Sequence, residues 1–203
     1  MESRQKMQPL EAECKFRVRH HQPVIDALIG LHAVAIGTES HCDTYLRHPS
    51  RDFRTTDEAL RIREIDGLPY LTYKGPRLSG PIKIRTEIEL PLHRGDKSSW
   101  LEVWKHLGFS IVTEVVKKRT IYRLDSERRP LTITLDEVEK LGSFVEIERI
   151  LEQSDEVEQA EKDILAVAQM LGLRDIEKRS YLGLLLASTN ASEGTSHGVG
   201  NHD

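Results

Sequence analysis

Residues 11–18 read EAECKFRV. In an extended chain successive side chains point to opposite faces. Glu11, Glu13 and Lys15 then share one face, and Ala12, Cys14 and Phe16 share the other. The apolar face suits a core, while the charged face is either wet or holds something. One strand does not decide between these. The same alternation returns in ALRIR (59–63), IKIRTEIEL (82–90), VVKKR (115–119) and FVEIE (144–148). Each repeats one charge type at i and i+2. On neighbouring strands of one curved sheet, these faces would line a single channel.

The chain of 203 residues is long enough for one domain with a sizeable core. Charged residues make up 31%, yet the net charge is only -4, so the signs are mixed. A general nucleic-acid binder would be clearly basic, so nucleic acid is not an expected partner. Cys14 and Cys42 make no disulfide framework, which suits a reducing compartment. No apolar run approaches the roughly 20 residues of a membrane-spanning helix. The start MESRQKMQPLEAE lacks the apolar core of a signal peptide. A cytoplasmic location is expected, with no membrane partner.

The other segments fill out an α+β domain. PVIDALIGLHAVAIG reads as a helix that opens on Pro23 and stops at Gly37. TESHCDTYLRH reads as a strand ending at the turn PSRD. EALRIREI and YLTYKG form a hairpin about DGLP. DKSSWLEVWKHLGF is a short helix with Trp100, Val103, Trp104 and Leu107 along one stripe. TEVVKKRTIYRLD is a strand, SERRP a turn, and LTITLDEV with GSFVEIERI another hairpin. Helical periods follow in DEVEQAEKDILAVAQMLGL and EKRSYLGLLLAS. The expected organisation is one domain over 1–187, with C-terminal helices over about 154–187 and a disordered polar tail over 188–203. Six to eight strands with sequence-close neighbours favour antiparallel pairing.

The charged faces divide into two chemistries. Arg61, Arg63, Lys74, Lys83, Arg85, Lys117 and Arg119 could surround a polyanion, since guanidinium forks match phosphate oxygens. Glu11, Glu13, Glu146 and Glu148 could hold a hard divalent cation such as magnesium or manganese. So many like charges in one closed space would be unstable without counter-charges or a ligand. Cys14, on the outer face, reads as a small buried hydrophobe, and the two tryptophans as a packing face. No Gly-rich phosphate loop is present.

EAECKF resembles the ExExK signature of the CYTH family, the triphosphate tunnel metalloenzymes. The later segments extend the likeness. HCDTYLRHPSRDFRTTDEALRIRE resembles the family's DTYF…ALRxR segment, LTYKGP its next strand, and IKIRTEIE its K-x-R-x-E-x-E strand. LGFSIVTEVVKKRTIYRL resembles the segment with a basic pair, and ITLDEVEKLGSFVEIE the last strand pair. The likeness runs from about residue 10 to 150, and KRSYLGLLL is similar to the tail of the class IV adenylate cyclase-like branch. It implies an eight-stranded antiparallel β-barrel open as a tunnel, with helices packed outside. It also implies metal-binding acids at Glu11, Glu13, Glu146 and Glu148, with Mg2+ or Mn2+ as cofactor. Lys15, Arg61, Arg63, Lys74, Lys117 and Arg119 match its triphosphate-binding bases, and Asp136 a further tunnel acid. Lys15 and Asp136 are the expected catalytic residues. Lys83, Arg85, Glu87 and Glu89 match the tunnel strand. Leu46 stands where the family often has Phe, and His41 where Gln is frequent. His41 could touch substrate or metal, although a polar strand residue is the simpler reading.

The implied activity is conversion of ATP to cyclic AMP and pyrophosphate. Hydrolysis of tripolyphosphate or thiamine triphosphate needs nearly the same apparatus. A binding module without turnover would keep the bases and could lose the acids, but both acidic segments are intact. An enzyme trimming 5′-triphosphate RNA ends would want a basic approach surface, which the net charge of -4 gives little sign of. A homodimer is compatible with the sequence, although nothing in it requires one.

Overall fold

The computed structural model describes residues 10–125, 129–151 and 156–194. Eight strands close into an antiparallel barrel: β1 (Leu10–Val18), β2 (Val34–Arg47), β3 (Ala59–Ile65), β4 (Leu68–Lys74), β5 (Lys83–Pro91), β6 (Ser110–Leu124), β7 (Leu131–Val138) and β8 (Gly142–Leu151). Around the barrel they run β1-β5-β4-β3-β2-β6-β7-β8. The helices are α1 (Gln22–Gly30), α2 (Phe53–Thr56), α3 (Lys97–His106), α4 (Val157–Met170) and α5 (Tyr181–Gly194). The α+β barrel with outer helices is the expected fold.

Tight turns keep strand neighbours close. Asp66 and Gly67 both take positive φ, 48° and 80°, between β3 and β4. Two such residues give a turn whose twist matches a hairpin, and the DG pair supplies them at low cost. Closure removes the free sheet edges that would otherwise pair with other chains.

The barrel is charged inside and, where α1 and α4 cover it, dry outside. Ala12, Cys14 and Phe16 of β1 point outward with Ile84, Ile133, Leu135, Val145 and Ile147. Val24 and Leu28 of α1, with Ala160, Ile164, Val167 and Ala168 of α4, cover them. Cys14 is 1% exposed, and burial pushes its thiol up to about 12, as suits a hydrophobe rather than a nucleophile. A second cluster packs α5 against the barrel: Tyr45, Val115, Val138 and Phe144 meet Tyr181 and Leu184 of α5.

Four expectations shift. The helix read over PVIDALIGLHAVAIG ends at Gly30, and His32 takes a φ of 58° to turn the chain. Val34 already belongs to β2, and Gly37 marks a register shift against β6 rather than a helix stop. The segment before α5 is extended, not helical. Ile176 bridges Phe16 and the Glu177 amide donates to the Lys15 carbonyl at 2.7 Å, which takes these residues out of a helix. α5 then runs to Gly194, into the stretch read as tail, while 195–203 lie outside the described residues, as do 126–128 of the SERRP turn. α3 leaves Val103 and Leu107 substantially exposed, although Trp104 does pack edge-on against Phe109. Among the described residues, no helix is long and apolar enough to cross a membrane.

Candidate active site

Strand alternation brings all the predicted charged residues to the lumen side. Two walls can be told apart by what holds their charges.

The first wall is built on β2, β3, β6 and β7. Asp43 lies opposite Arg63 in the β2–β3 register. Arg63 donates from Nε to Oδ1 at 2.8 Å and from Nη2 to Oδ2 at 3.0 Å. Arg61 Nη1 lies 3.1 Å from Asp43 Oδ2 and donates to Tyr45 Oη at 3.1 Å. Burial alone would raise the Asp43 carboxyl, but Arg61 and Arg63 outweigh it and hold it well below the usual range. Asp136 repeats the device opposite Arg119. Arg119 donates to it from Nε at 2.7 Å and Nη2 at 2.6 Å, Lys117 Nζ at 3.4 Å, and Tyr181 Oη at 2.8 Å. Here too burial is outweighed, by Lys117 and Arg119, and Asp136 stays ionised below its ordinary range. Burial and the Arg119 charge push the Lys117 ammonium down to about 8, with Asp136 opposing them.

The second wall is built on β1, β5 and β8, with Lys74 of β4. Glu13 faces Glu148 across the β1–β8 pair, and Lys15 faces Glu146. Lys74 Nζ donates to Glu11 Oε2 at 2.7 Å and lies 2.5 Å from Glu87. Lys83 Nζ donates to Glu13 at 2.9 Å. Lys15 Nζ lies 3.1 Å from Glu146, which also accepts from Arg119. Burial raises Glu11 against the pull of Lys74, and Glu87 shares a hydrogen bond with it. Burial also opposes ionisation of Glu87, but that bond, Lys74 and Arg61 bring it down to about 2. Burial acts likewise on Glu13 and Glu146, yet Lys83 for the one and Lys15 for the other hold both below their ordinary value. No hydrogen bond or ion pair among the described residues reaches Glu148. Burial pushes it up to about 8, reinforced by the Glu11 charge and only partly offset by Arg119.

The lumen opens into a cavity of about 1300 Å³, which reaches the β2–β3 loop and the start of α5. Buried donors remain unmatched in it: among the described residues, Arg61 Nε and Arg85 Nε have no hydrogen-bond partner, and Arg61 Nη2 has only the Glu87 carboxylate at 3.6 Å. Unpaired guanidinium donors are costly unless a ligand supplies acceptors. Glu89 sits apart at the rim, exposed, taking a 3.1 Å hydrogen bond from Thr72.

The acids suit a divalent cation in chemistry. All four offer oxygen, and the uncompensated Glu148 marks where added positive charge would be most favourable. They are not gathered as ligands: among the described residues, no three His, Cys, Asp or Glu groups are so placed. Glu11, Glu13 and Glu146 are turned towards lysines and Arg119 instead.

His41 is buried on the lumen side beside Lys117 in register, with Nε2 2.7 Å from Glu39 and Nδ1 unpartnered. Burial, then Lys117, Arg63 and Arg119, push the imidazole down to about 3, so it is neutral. Sequence reasoning missed Asp43, Tyr45 and Tyr181 as lumen residues. The alternation in CDTYL could have found the first two. Nothing local marks Tyr181, a helical residue carried inward by the packing of α5.

A model of the CYTH domain family matches residues 9–181. The Methanocaldococcus jannaschii protein named "Putative adenylate cyclase MJ0240" is 33% identical over 177 residues, 86% of this chain and 98% of that one. The solved structure of the PH1819 protein from Pyrococcus horikoshii OT3 superposes with a TM-score of 0.78 at 38% identity, covering 88% of this chain and 99% of the other. HpAC1 from Hippeastrum, described as a "putative adenylyl cyclase" that reveals a dominant triphosphatase activity, has a TM-score of 0.63 at 16% identity, covering 89% and 96%. That last likeness is one of fold.

Proposed function

The chain belongs to the CYTH domain family, and on that premise we propose that it is a metal-dependent enzyme acting on a triphosphate inside the barrel, with ATP converted to cyclic AMP and pyrophosphate as the leading reaction. The observation that carries this reading is the pairing of two walls in one lumen. Prearranged guanidinium groups with unmatched donors face three glutamates paired with lysines and Arg119, and Glu148, which no hydrogen bond or ion pair among the described residues reaches.

Arg61, Arg63, Lys117 and Arg119 receive phosphate oxygens, and their fixed forks spread the negative charge without rearrangement. Asp43 and Asp136 orient these bases. Both are saturated with donors, so Asp136 serves as a bracket rather than as a proton acceptor. Lys15, Lys74 and Lys83 exchange carboxylate for phosphate as the triphosphate enters. That exchange frees Glu11 and Glu13, and leaves Glu146 with Arg119 alone, to join Glu148 as the residues that would hold magnesium or manganese. When bound, the cation supplies charge neutralisation and activation of the attacking oxygen. In the cyclase reaction the ribose 3′-hydroxyl gives up its proton to solvent, its oxygen bonds to the α-phosphorus, the bond from that phosphorus to the α–β bridging oxygen breaks, and pyrophosphate leaves with that oxygen. The name of the M. jannaschii relative supports this branch.

Hydrolysis of the terminal phosphate is the second reading. The same walls serve it, and the Hippeastrum protein of like fold is described as a triphosphatase. One incubation series separates the two. ATP, tripolyphosphate and thiamine triphosphate are each supplied with Mg2+ or Mn2+, and products are resolved by chromatography. Cyclic AMP with pyrophosphate is expected. Orthophosphate alone would favour hydrolysis, and saturable binding without turnover would overturn the enzymatic reading.

A further inference from the structure

Tyr181 opens α5 and lines the charged lumen. It is 5% exposed, and its ring meets Phe144 edge-on at 5.0 Å. Lys15 Nζ lies 3.7 Å from the ring centroid and Lys117 Nζ 5.1 Å from it. The phenol donates to Asp136 Oδ2 at 2.8 Å. One side chain thus touches charged groups of β1, β6 and β7.

The segment before it grips the same lysine. The Glu177 amide donates to the Lys15 carbonyl at 2.7 Å, Ile176 bridges Phe16, and Lys15 Nζ reaches the Arg179 carbonyl at 3.5 Å. Lys15 is therefore held at its backbone and its ammonium by residues 176–181. A leucine would suit the apolar cluster around Phe144 and Leu184 as well as tyrosine does. Burying a hydroxyl there is costly unless it finds a partner, and an ammonium over a ring face gains from the ring's quadrupole. The phenol also stays protonated, since burial and then the Glu146 and Asp136 charges raise it well above its ordinary value.

We propose that Tyr181 is a positioning residue for the triphosphate. Its ring face seats the Lys15 ammonium and its hydroxyl completes the donors on Asp136, so docking of α5 and assembly of the base cluster are one event. The proposal rests on the triphosphate reading of the lumen.

The test uses the full chain with Tyr181→Phe and Tyr181→Leu. In protein carrying 13C-lysine, the Lys15 ε-protons, assigned by their loss in Lys15→Arg, are shifted upfield in wild type and Tyr181→Phe. They return to ordinary positions in Tyr181→Leu. Calorimetry with tripolyphosphate in EDTA then reads the bases without metal. Tyr181→Phe, whose urea midpoint stays near that of wild type, binds about fivefold more weakly through the lost hydrogen bond. Tyr181→Leu loses about tenfold further with the ring face. Unshifted Lys15 protons in wild type, or wild-type affinity in Tyr181→Phe, overturn the proposal alone. A wild type that shows the Lys15 shift but binds no triphosphate overturns the triphosphate reading, and this proposal with it.

Discussion

The two walls of the lumen use carboxylates of different length, and the difference separates fixed parts from adaptable ones. Asp43 and Asp136 are short and nearly unexposed, and each is bound through both oxygens to an arginine. Both lie below the usual carboxylate range, so their charge never lapses near neutrality. Across the lumen, Glu11 and Glu13 hang on longer chains with lysine partners, Glu148 has none among the described residues, and two of the three are raised. The base wall is preorganised before any ligand arrives. The acid wall holds charges that can change partners, which is what a site taking both a polyanion and a cation requires.

The largest expected effect comes from breaking a bracket. Asp136→Ala leaves Lys117 buried without its ion-pair partner and Arg119 with Glu146 alone, which costs about 3–5 kcal/mol in urea denaturation. Glu148→Gln removes a charge that burial already disfavours, so at pH 8 it leaves stability unchanged or raises it. The pH signs differ too. A depressed aspartate contributes stability above its unfolded value of about 3.9 and loses it as the medium turns more acidic. A raised glutamate works in reverse: its contribution is present below the ordinary carboxylate range and fades as pH climbs towards about 8. Glu148→Gln therefore flattens the neutral limb of the stability profile and Asp136→Asn the acid limb. Equal losses from Asp136→Ala and Glu148→Gln would erase the distinction between the walls.

Next in size is the cation. Magnesium or manganese at a hundred times its Kd stabilises the folded chain by about 2.7 kcal/mol. The shift in thermal midpoint is reversed by EDTA and small in Glu148→Gln. No shift in wild type would take the metal away from the acid wall.

Lys117 gives a smaller signal on the other side. Its folded value of about 8 lies below that of a free lysine, so the empty lumen loses this charge in mild alkali. Tripolyphosphate affinity falls above about pH 8, by at most tenfold per unit for one proton. Lys117→Met flattens that fall. A profile level to pH 9.5 in wild type would separate Lys117 from the phosphates.

How much of this was open to reading follows from periodicity. Strand alternation needs only the backbone's period of two, so EAECKFRV and IKIRTEIEL placed their charges on the lumen face without any tertiary knowledge. Helix limits depend on competition. Val34 fits a helical stripe as well as a strand, and only pairing with β6 settles it as strand. Tyr181 is harder still, because its inward direction comes from where residues 176–180 anchor on β1. The aspartate brackets were half visible: Asp43 stands on the right face of CDTYL, but its role needs Arg63 opposite it.

The smallest effect is expected where the acid wall runs out. Along β5, Glu87 is drawn into the lumen by Lys74 and Arg61, whereas Glu89 reaches solvent with Arg63 only at 4.0 Å. Solvent-screened pairs of this kind contribute about 0–1 kcal/mol. Glu87→Gln should release Lys74 and change tripolyphosphate affinity measurably by calorimetry. Glu89→Gln should change affinity less than about twofold and stability by about 0.5 kcal/mol or less. Were Glu89→Gln to match Glu87→Gln, the working lumen would extend to the rim. The contrast between held and adaptable carboxylates would then have to be redrawn as one of depth rather than of wall.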